Sequence, residues 1–261
     1  MKNSIIKLII AGSLGLFTVF SSCTKSVNVS VDPGCYVSKI KNTANSDVLN
    51  ISYDDQNRVT QVSGNVGLHS EQYLYTYPGS TVSINHIEDN VPIENFVFFM
   101  ANGRAYKQIH TAGATNDSVF YYYFPNGFLF RAYHYNAAGN WYETYVLTSD
   151  QKNILNLTYS QDYPPFTNFI YNYFYTNNYL NRQNMDLLNA LHFGLYYDYF
   201  SGLTGIQNTN LIEKITFTYL TIEYPFSTIS YNYNHYVVSL TDINTASNVT
   251  NNLQFTYNCK D

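Results

Sequence analysis

The side chains that could perform acid–base chemistry in this sequence are carboxylates spread widely along the chain. Glycoside hydrolysis needs two carboxyl groups that flank the scissile bond, and no local motif pairs any two of these residues. The acidic candidates are Glu88-Asp89, Asp117, Glu143, Asp162, Glu213 and Glu223. Because acidic residues near turns commonly serve solubility alone, we predict no catalytic residue. A cryptic glycoside hydrolase is the second alternative function.

The histidines predict neither a metal site nor a cofactor site. None of them forms the two-histidine or cysteine–histidine spacing of a zinc site. They are His69, His86, His110, His134, His192 and His235. The mature chain also contains no Gly-x-Ser-x-Gly motif and no phosphate-binding glycine loop.

The first cysteine lies where a bacterial lipoprotein would be acylated. Lys2 and Lys7 precede an apolar stretch, Leu8 to Phe20, that is too short to span a bilayer and fits a secretion signal. Small residues before Cys23 resemble a lipobox, which implies diacylglycerol on its thiol and cleavage before it. We therefore predict a signal peptide over residues 1–22 and a lipidated tether over 23–34. The alternative is an ordinary secretory signal with a chance cysteine.

Lipidation of Cys23 predicts an outer-membrane lipoprotein of the cell envelope, held to the membrane by its acyl chains. In Bacteroidota lipoproteins, acidic residues just after the cysteine mark export to the outer surface. Here the first acid is Asp32. The tether therefore leaves open whether the domain faces the periplasm or the outside.

The two remaining cysteines flank the whole domain. Cys35 and Cys259 would meet in an oxidising compartment, which favours disulfide bonds. We predict a Cys35–Cys259 disulfide that joins the first strand to the last. The alternative is two separate buried thiols.

Charge and aromatic content restrict the partners. The chain has a formal charge of −5, with 13 basic and 18 acidic residues; removing Lys2 and Lys7 leaves 11 against 18, or −7. Such a chain has no basic patch for nucleic acid. Aromatic residues make up 18% of the chain, and exposed rings can stack on sugars. Trp141 and Tyr142, just past a turn, are the candidates for this, although a core position is the alternative.

One tripeptide matches an acceptor pattern for sugar. Asp117-Ser118-Val119 fits the Asp-Ser/Thr-apolar sequence of O-glycosylation in secreted Bacteroidota proteins. Ser118 is therefore a candidate O-glycosylation site, although such tripeptides also arise by chance.

The elements that would position these residues are strands. Runs rich in Val, Ile, Tyr, Phe and Thr alternate with turn sequences such as Asn102-Gly103, which suits a type I′ hairpin. This pattern predicts an all-β domain over residues 35–261, a large antiparallel meander that is barrel-like or a strongly curled sheet. Leucines between Asn184 and Gly202 recur at helical spacing and predict one short helical insert near 185–200.

The segment Tyr53 to Val62 resembles one YD repeat, with Asn57 in the place of the usual glycine. More widely, the chain resembles a family of uncharacterised Bacteroidota lipoproteins with Tyr/Thr-rich hairpins. The matching pieces are Cys23, Cys35 to Ile40, the YD-like segment, Asn184 to Phe200 and Phe255 to Cys259. The resemblance implies a porin-like fold and assigns no activity.

A membrane-spanning porin is not what the sequence predicts. The chain ends Cys259-Lys260-Asp261, without a terminal aromatic residue, and Phe120 to Phe124 is aromatic on both strand faces. Membrane barrels instead alternate apolar-out and polar-in.

We therefore predict a monomeric, lipid-anchored envelope protein with a non-enzymatic structural or interaction role. A glycan- or small-ligand-binding lipoprotein is the first alternative. A contiguous exposed aromatic patch would favour that alternative, whereas two carboxylates in one cleft would favour the hydrolase.

Overall fold

The protein is a closed antiparallel barrel of sixteen strands in a computed structural model. The structure describes residues 35–45, 47–150, 152–161, 168–180, 203, 208–219, 222–234, 236–245 and 248–259. The strands are β1 Cys35–Asn42, β2 Val48–Tyr53, β3 Val59–Val66, β4 His69–Thr76, β5 Thr81–Glu88, β6 Val91–Ala101, β7 Arg104–Ala112, β8 Thr115–Tyr123, β9 Leu129–Tyr135, β10 Trp141–Ser149, β11 Ile154–Gln161, β12 Asn168–Leu180, β13 Asn210–Tyr219, β14 Ile222–Asn234, β15 Tyr236–Asn244 and β16 Val249–Cys259.

Each strand pairs with its neighbours in the sequence, and β1 pairs with β16 to close the barrel. The predicted all-β, barrel-like class is confirmed. The predicted helical insert near 185–200 lies outside the described residues. Within the described part of the chain, no helix has the length and hydropathy needed to cross a membrane.

Alternation along the strands separates an apolar inner face from an outer face on which polar residues and exposed apolar residues are mixed. In β5, Val82 and Ile84 are buried while Asn85 is exposed. In β14, Ile229 is buried between the exposed Thr228 and Ser230. Successive side chains of a strand point to opposite faces, so the hydrophobic residues collect on the inside of the barrel.

The barrel interior is a packed apolar core. Its most deeply buried apolar side chains, each less than 2% exposed, come from strands all around the barrel: Phe98, Ile84, Leu147, Leu157, Ile215 and Val237. Fully burying one such side chain contributes roughly 1.5 to 3 kcal/mol. These residues belong to one hydrophobic core cluster inside the barrel.

The hairpin turns follow the predicted turn chemistry. Asn102 and Gly103 have φ values of 52° and 75°, as a type I′ turn requires, so that prediction is confirmed. Asn57 has a φ of 60°, which an asparagine tolerates in the place of glycine. Asp54 stabilises the same turn, because its Oδ1 accepts hydrogen bonds from the backbone N–H groups of Gln56 and Arg58.

Six tyrosines join neighbouring strands in the same way, which accounts for part of the high tyrosine content. Each hydroxyl donates to a backbone carbonyl of the preceding strand, and we call these contacts tyrosine clasps. The pairs are Tyr53 with Val37, Tyr77 with Val59, Tyr123 with Ala105, Tyr175 with Ile154, Tyr231 with Ile212 and Tyr257 with Val237. Burial raises the pKa of Tyr53 and of Tyr231, so these hydroxyls stay protonated donors.

A disulfide joins Cys35 to Cys259 across 224 residues of chain, in agreement with the predicted pairing. The two cysteines also pair directly in the β1–β16 ladder. The bond therefore closes the end of the seam between the first and last strands.

The chain direction gives the barrel two distinct ends. We call the end that holds Cys35 and Cys259 the tether end, because the predicted tether precedes Cys35. The opposite, distal end holds the turns after β3, β5 and β7, at Gly67, Asp89-Asn90 and Gly113.

Candidate functional site

Four ionisable side chains face inward near the distal end of the barrel. We call Glu71, His86, Glu94 and His110 the histidine cluster. The side chain of His86 is 8% exposed and that of Glu71 is 14% exposed, whereas Glu94 and His110 are about one quarter exposed. Charged groups this deeply buried need partners, and the cluster provides them internally.

Four adjacent strands, β4 to β7, hold the cluster. Tyr73 of β4 pairs with His86 of β5, and His86 pairs with Glu94 of β6. Phe96, two residues after Glu94, pairs with His110 of β7. Because the side-chain period of a strand is two, these residues share the inner face with the core residues Ile84 and Phe98.

Hydrogen bonds link the cluster into one chain. His86 Nδ1 lies 2.7 Å from Glu94 Oε1, and His86 Nε2 contacts Glu71 Oε2. His110 Nε2 lies 2.8 Å from the other oxygen of Glu94. An imidazole that donates from both nitrogens carries a positive charge. Both ring nitrogens of His86 therefore face carboxylate oxygens.

Aromatic rings fix the orientation of both imidazoles. Tyr73 stacks on His86 with ring centroids 4.2 Å apart and an interplanar angle of 16°. Phe96 stacks on His110 at 4.5 Å and 5°. Stacked rings restrict rotation of the imidazole planes, which keeps the ring nitrogens directed at the carboxylates.

The cluster shifts the pKa of its members in directions that follow from these contacts. The hydrogen bond from His110, and then that from His86, hold the pKa of Glu94 below its ordinary value, although partial burial acts in the opposite direction. Burial, followed by the charge of Glu71, raises the pKa of Tyr73. Glu94 is thus kept ionised and Tyr73 is kept neutral.

A second group of ionisable residues lies at the rim of the distal end. His69 Nδ1 is 3.0 Å from Glu88 Oε1 and 2.8 Å from Asp89 Oδ2. The hydrogen bond with Asp89 raises the pKa of His69, while the backbone N–H of Ser70 lowers the pKa of Asp89. These three residues offer ligand atoms within 4.8 Å of one another. The chemistry of these ligand atoms suits a divalent cation. In this structure, however, the carboxylates of Glu88 and Asp89 form ion pairs with His69.

The imidazoles of the histidine cluster contact carboxylates, whereas a nucleophilic hydrolase pairs its imidazole with a nucleophile. A nucleophilic mechanism needs a hydroxyl or thiol within hydrogen-bond reach of the imidazole. Among the described residues, the hydrogen bonds of His86 go only to Glu71 and Glu94. Both carboxylates are engaged by histidine, Glu71 by His86 and Glu94 by His86 and His110.

The barrel matches two solved structures from Bacteroides over most of its length. A porin-like protein from Bacteroides uniformis aligns with a TM-score of 0.64 and 14% identity, covering 85% of this chain and 96% of the other. A porin-like protein from Bacteroides vulgatus aligns with the same TM-score and identity, covering 85% of this chain and 98% of the other. The fold is porin-like. At this identity the likeness concerns the fold alone, and neither a protein-family model nor a curated relative matches the sequence.

Most residues that the sequence singled out do not meet in the porin-like barrel. Glu88 and Asp89 lie at the rim with His69, whereas Glu213 and Glu223 are exposed on β13 and β14. Asp117 of β8 pairs with His110 of β7. The side chain of Glu143, together with all of Asp162, lies outside the described part of the structure.

The remaining predicted site residues are placed as follows. Ser118 lies on β8 between Ile109 of β7 and Tyr135 of β9. Trp141 and Tyr142 begin β10, but their side chains are not among those described. Cys23 lies outside the described residues. Lipidation, O-glycosylation and ring stacking at these positions stay predictions.

Sequence reasoning missed Glu71 and Glu94, the two carboxylates that the porin-like barrel brings to His86. A signal for them was present. Glu71 is followed at every second position by an aromatic residue, Tyr73 and then Tyr75. Glu94 is followed in the same way by Phe96 and Phe98. An acidic residue that falls on the inward-facing positions of an aromatic strand needs a buried partner. His86 falls on the inward-facing positions of β5, because it follows Val82 and Ile84 at a spacing of two residues.

Proposed function

We propose that this chain is a lipid-anchored barrel of the cell envelope that does not span the membrane and has a non-enzymatic structural or interaction role. The single observation that carries the proposal is the direction of the side-chain alternation. The inner face is mainly apolar, whereas the outer face mixes polar residues with exposed apolar ones such as Ile170 and Val238. A transmembrane barrel instead has a polar interior and a continuous apolar outer band.

The outer face would be costly to place in lipid. Exposed polar residues lie near the middle of strands on different sides of the barrel, including Asn50 of β2, Asn85 of β5 and Ser230 of β14. Polar groups without partners in hydrocarbon cost several kcal/mol each. Among the described residues, apolar side chains such as Phe98 and Leu157 predominate in the interior, whereas the lumen of a porin is polar and filled with water.

A barrel with this surface needs another means of staying at a membrane, and the lipobox-like segment before Cys23 provides one. Acyl chains give durable anchoring at roughly 0.8 kcal/mol for each buried CH₂. The disulfide between Cys35 and Cys259 supports an oxidising compartment. A non-enzymatic role is supported by the histidine cluster, whose carboxylates and imidazoles satisfy one another.

Loss of the lipid site is expected to release the protein from membranes. The variant carries Cys23→Ala together with a cleavable secretory signal in place of residues 1–22, so that an uncleaved signal cannot retain it. After lysis and ultracentrifugation, the wild-type chain is expected in the membrane pellet and the variant in the supernatant, because the polar outer face has no affinity for lipid. Immunoblotting of both fractions measures the partition.

The matched control is Ser22→Ala, which keeps a small residue before an intact Cys23 and should stay in the pellet. Retention of the Cys23→Ala variant in the pellet after a high-salt wash would contradict the proposal.

A further inference from the structure

On the outer face of β6 to β9, rings and cations from four adjacent strands form a contiguous patch. We call these residues the aromatic–cationic face: Phe99, Lys107, Phe120, Tyr122, Arg131 and Tyr133. Their outward direction follows from the buried residues between them. Phe98, Ala105, Tyr121 and Ala132 are at most 6% exposed, whereas Tyr122 is 47% exposed.

The strand register arranges the face into two adjacent rows. Phe99 pairs with Lys107, Lys107 with Phe120, and Phe120 with Tyr133, so one row crosses all four strands. The second row pairs Tyr122 with Arg131. Neighbouring strands lie about 4.8 Å apart. The rings therefore form an extended surface rather than a single stacking position.

Both cations of the face contact rings, and among the described residues neither forms an ion pair with a carboxylate. Lys107 Nζ lies 5.7 Å from the Phe99 ring centroid and 5.3 Å from that of Phe120. The Arg131 guanidinium lies 5.6 Å from the Tyr133 ring and donates a 2.8 Å hydrogen bond to its hydroxyl. The Nε of Arg131 is buried and has no hydrogen-bond partner, a state that costs free energy unless a ligand or water supplies an acceptor.

The face carries positive charge on an acidic protein. The whole chain has a formal charge of −5, yet the acids of β6 to β8, Glu94 and Asp117, lie at the inward parity beside His110. Among the described side chains, those two acids therefore lie on the opposite side of the sheet from Lys107 and Arg131. The face is complementary in charge to an anion.

The face is also far from the seam and the tether. In strand order around the barrel, β9 is the eighth strand from β1 in either direction. The aromatic–cationic face consequently lies on the wall opposite β1 and β16. Anchoring of the chain at its amino terminus leaves that wall available to a partner.

We propose that the aromatic–cationic face binds an acidic polysaccharide, with sugar rings stacked on Phe120, Tyr122 and Tyr133 and uronate carboxylates paired with Lys107 and Arg131. Aromatic rings, of which Tyr122 and Tyr133 meet edge to face with centroids 5.7 Å apart, lie here beside tyrosine hydroxyls and two cations. These groups are complementary to the apolar faces, hydroxyls and carboxylates of such a polymer. The rings lie along a sheet face and not at protruding loop tips, which favours an extended polymer over insertion into a lipid surface. The inference rests on the proposed function in one respect, since the face must meet water and not membrane.

Binding of polygalacturonate to the full lipidated protein in mild detergent tests the proposal, with its methyl ester as the uncharged control. The wild-type chain is expected to bind polygalacturonate, and to bind it more weakly as salt rises. The double variant Lys107→Gln/Arg131→Gln and the single variant Tyr122→Ala should each weaken binding by about tenfold or more. The methyl ester should bind weakly to all forms.

The chain offers a matched control on another wall of the barrel. Lys214 Nζ lies 5.2 Å from the ring of Phe174, which is 43% exposed, but this pair lies outside the face. Phe174→Ala/Lys214→Gln should bind polygalacturonate like the wild type.

Absence of binding, or equal binding by wild type and face variants, would overturn the proposal. So would variant-sensitive binding to phosphatidylglycerol vesicles without binding to the polysaccharide, because the face would then contact lipid. Since the measurement is made in detergent, its failure is independent of whether Cys23 anchors the chain.

Discussion

Breaking the Cys35–Cys259 disulfide is expected to lower the free energy of unfolding by about 5 kcal/mol on the loop-entropy model. The closed loop spans 224 residues, and long loops lose the most entropy when they are cross-linked. The first half of β1 depends on this bond, because only Lys39 to Lys41 of β1 pair with β2, whereas the β16 ladder extends back to Cys35. Urea unfolding of the Cys35→Ser/Cys259→Ser variant measures the loss.

The wild type treated with reductant is the control for this measurement, because it should unfold at the same urea concentration as the double variant. Hydrogen exchange should show early loss of protection in β1 and β16. A change below about 1 kcal/mol would show that the β1–β16 ladder holds the seam without the disulfide.

Replacing Glu94 with glutamine is expected to destabilise the barrel by about 2 to 3 kcal/mol at neutral pH, since hydrogen bonds to charged groups contribute roughly 1.5 to 3 kcal/mol. Glu94 receives bonds from both His86 and His110. Its loss leaves His86 with a single carboxylate, Glu71, in a nearly buried position. Urea unfolding at pH 7 measures the change.

The pH dependence of the same variant gives a sharper test. The pKa of Glu94 is lower in the folded chain than its ordinary value of 4.5, so its stabilisation is present above about pH 4.5 and disappears as the pH falls through the folded pKa. The wild type should therefore lose stability in acid more steeply than Glu94→Gln. Glu213→Gln, at an exposed position of β13, should follow the wild-type curve, and identical curves for all three chains would contradict the assigned role of Glu94.

The fold was largely predictable because strand and turn signals are local. The turn at Asn102-Gly103 could be predicted from these two residues alone, because both tolerate the positive φ that a type I′ turn requires. The strand β3 was harder to predict, since Val59 to Val66 contains Gly64 and Asn65 and belongs to a segment that resembles a YD repeat. Closure of the barrel depends on pairing between strands at opposite ends of the chain, and among the individual residues the two cysteines indicated this pairing.

The site was much less predictable, because it depends on register between strands. His86, Glu94 and His110 lie on three strands, and a shift of one residue in any strand would turn its side chain to the outer face. The aromatic–cationic face likewise depends on the register between its strands. Phe120 and Tyr122 alternate with the inward Tyr121, so a run that is aromatic on both faces supplies core on one side and surface on the other.

The central claim, a polar outer face in water, is tested most directly by labelling single cysteines with a membrane-impermeant maleimide. The sites are Asn50→Cys, Asn85→Cys and Ser230→Cys, with Ser227→Cys as a control because Ser227 is 3% exposed and faces inward. The account predicts that the three outward cysteines react as fast in open membrane fragments as in detergent, while the control stays unlabelled in both. Protection of the outward cysteines in membranes, lost on addition of detergent, would show that the barrel spans the bilayer.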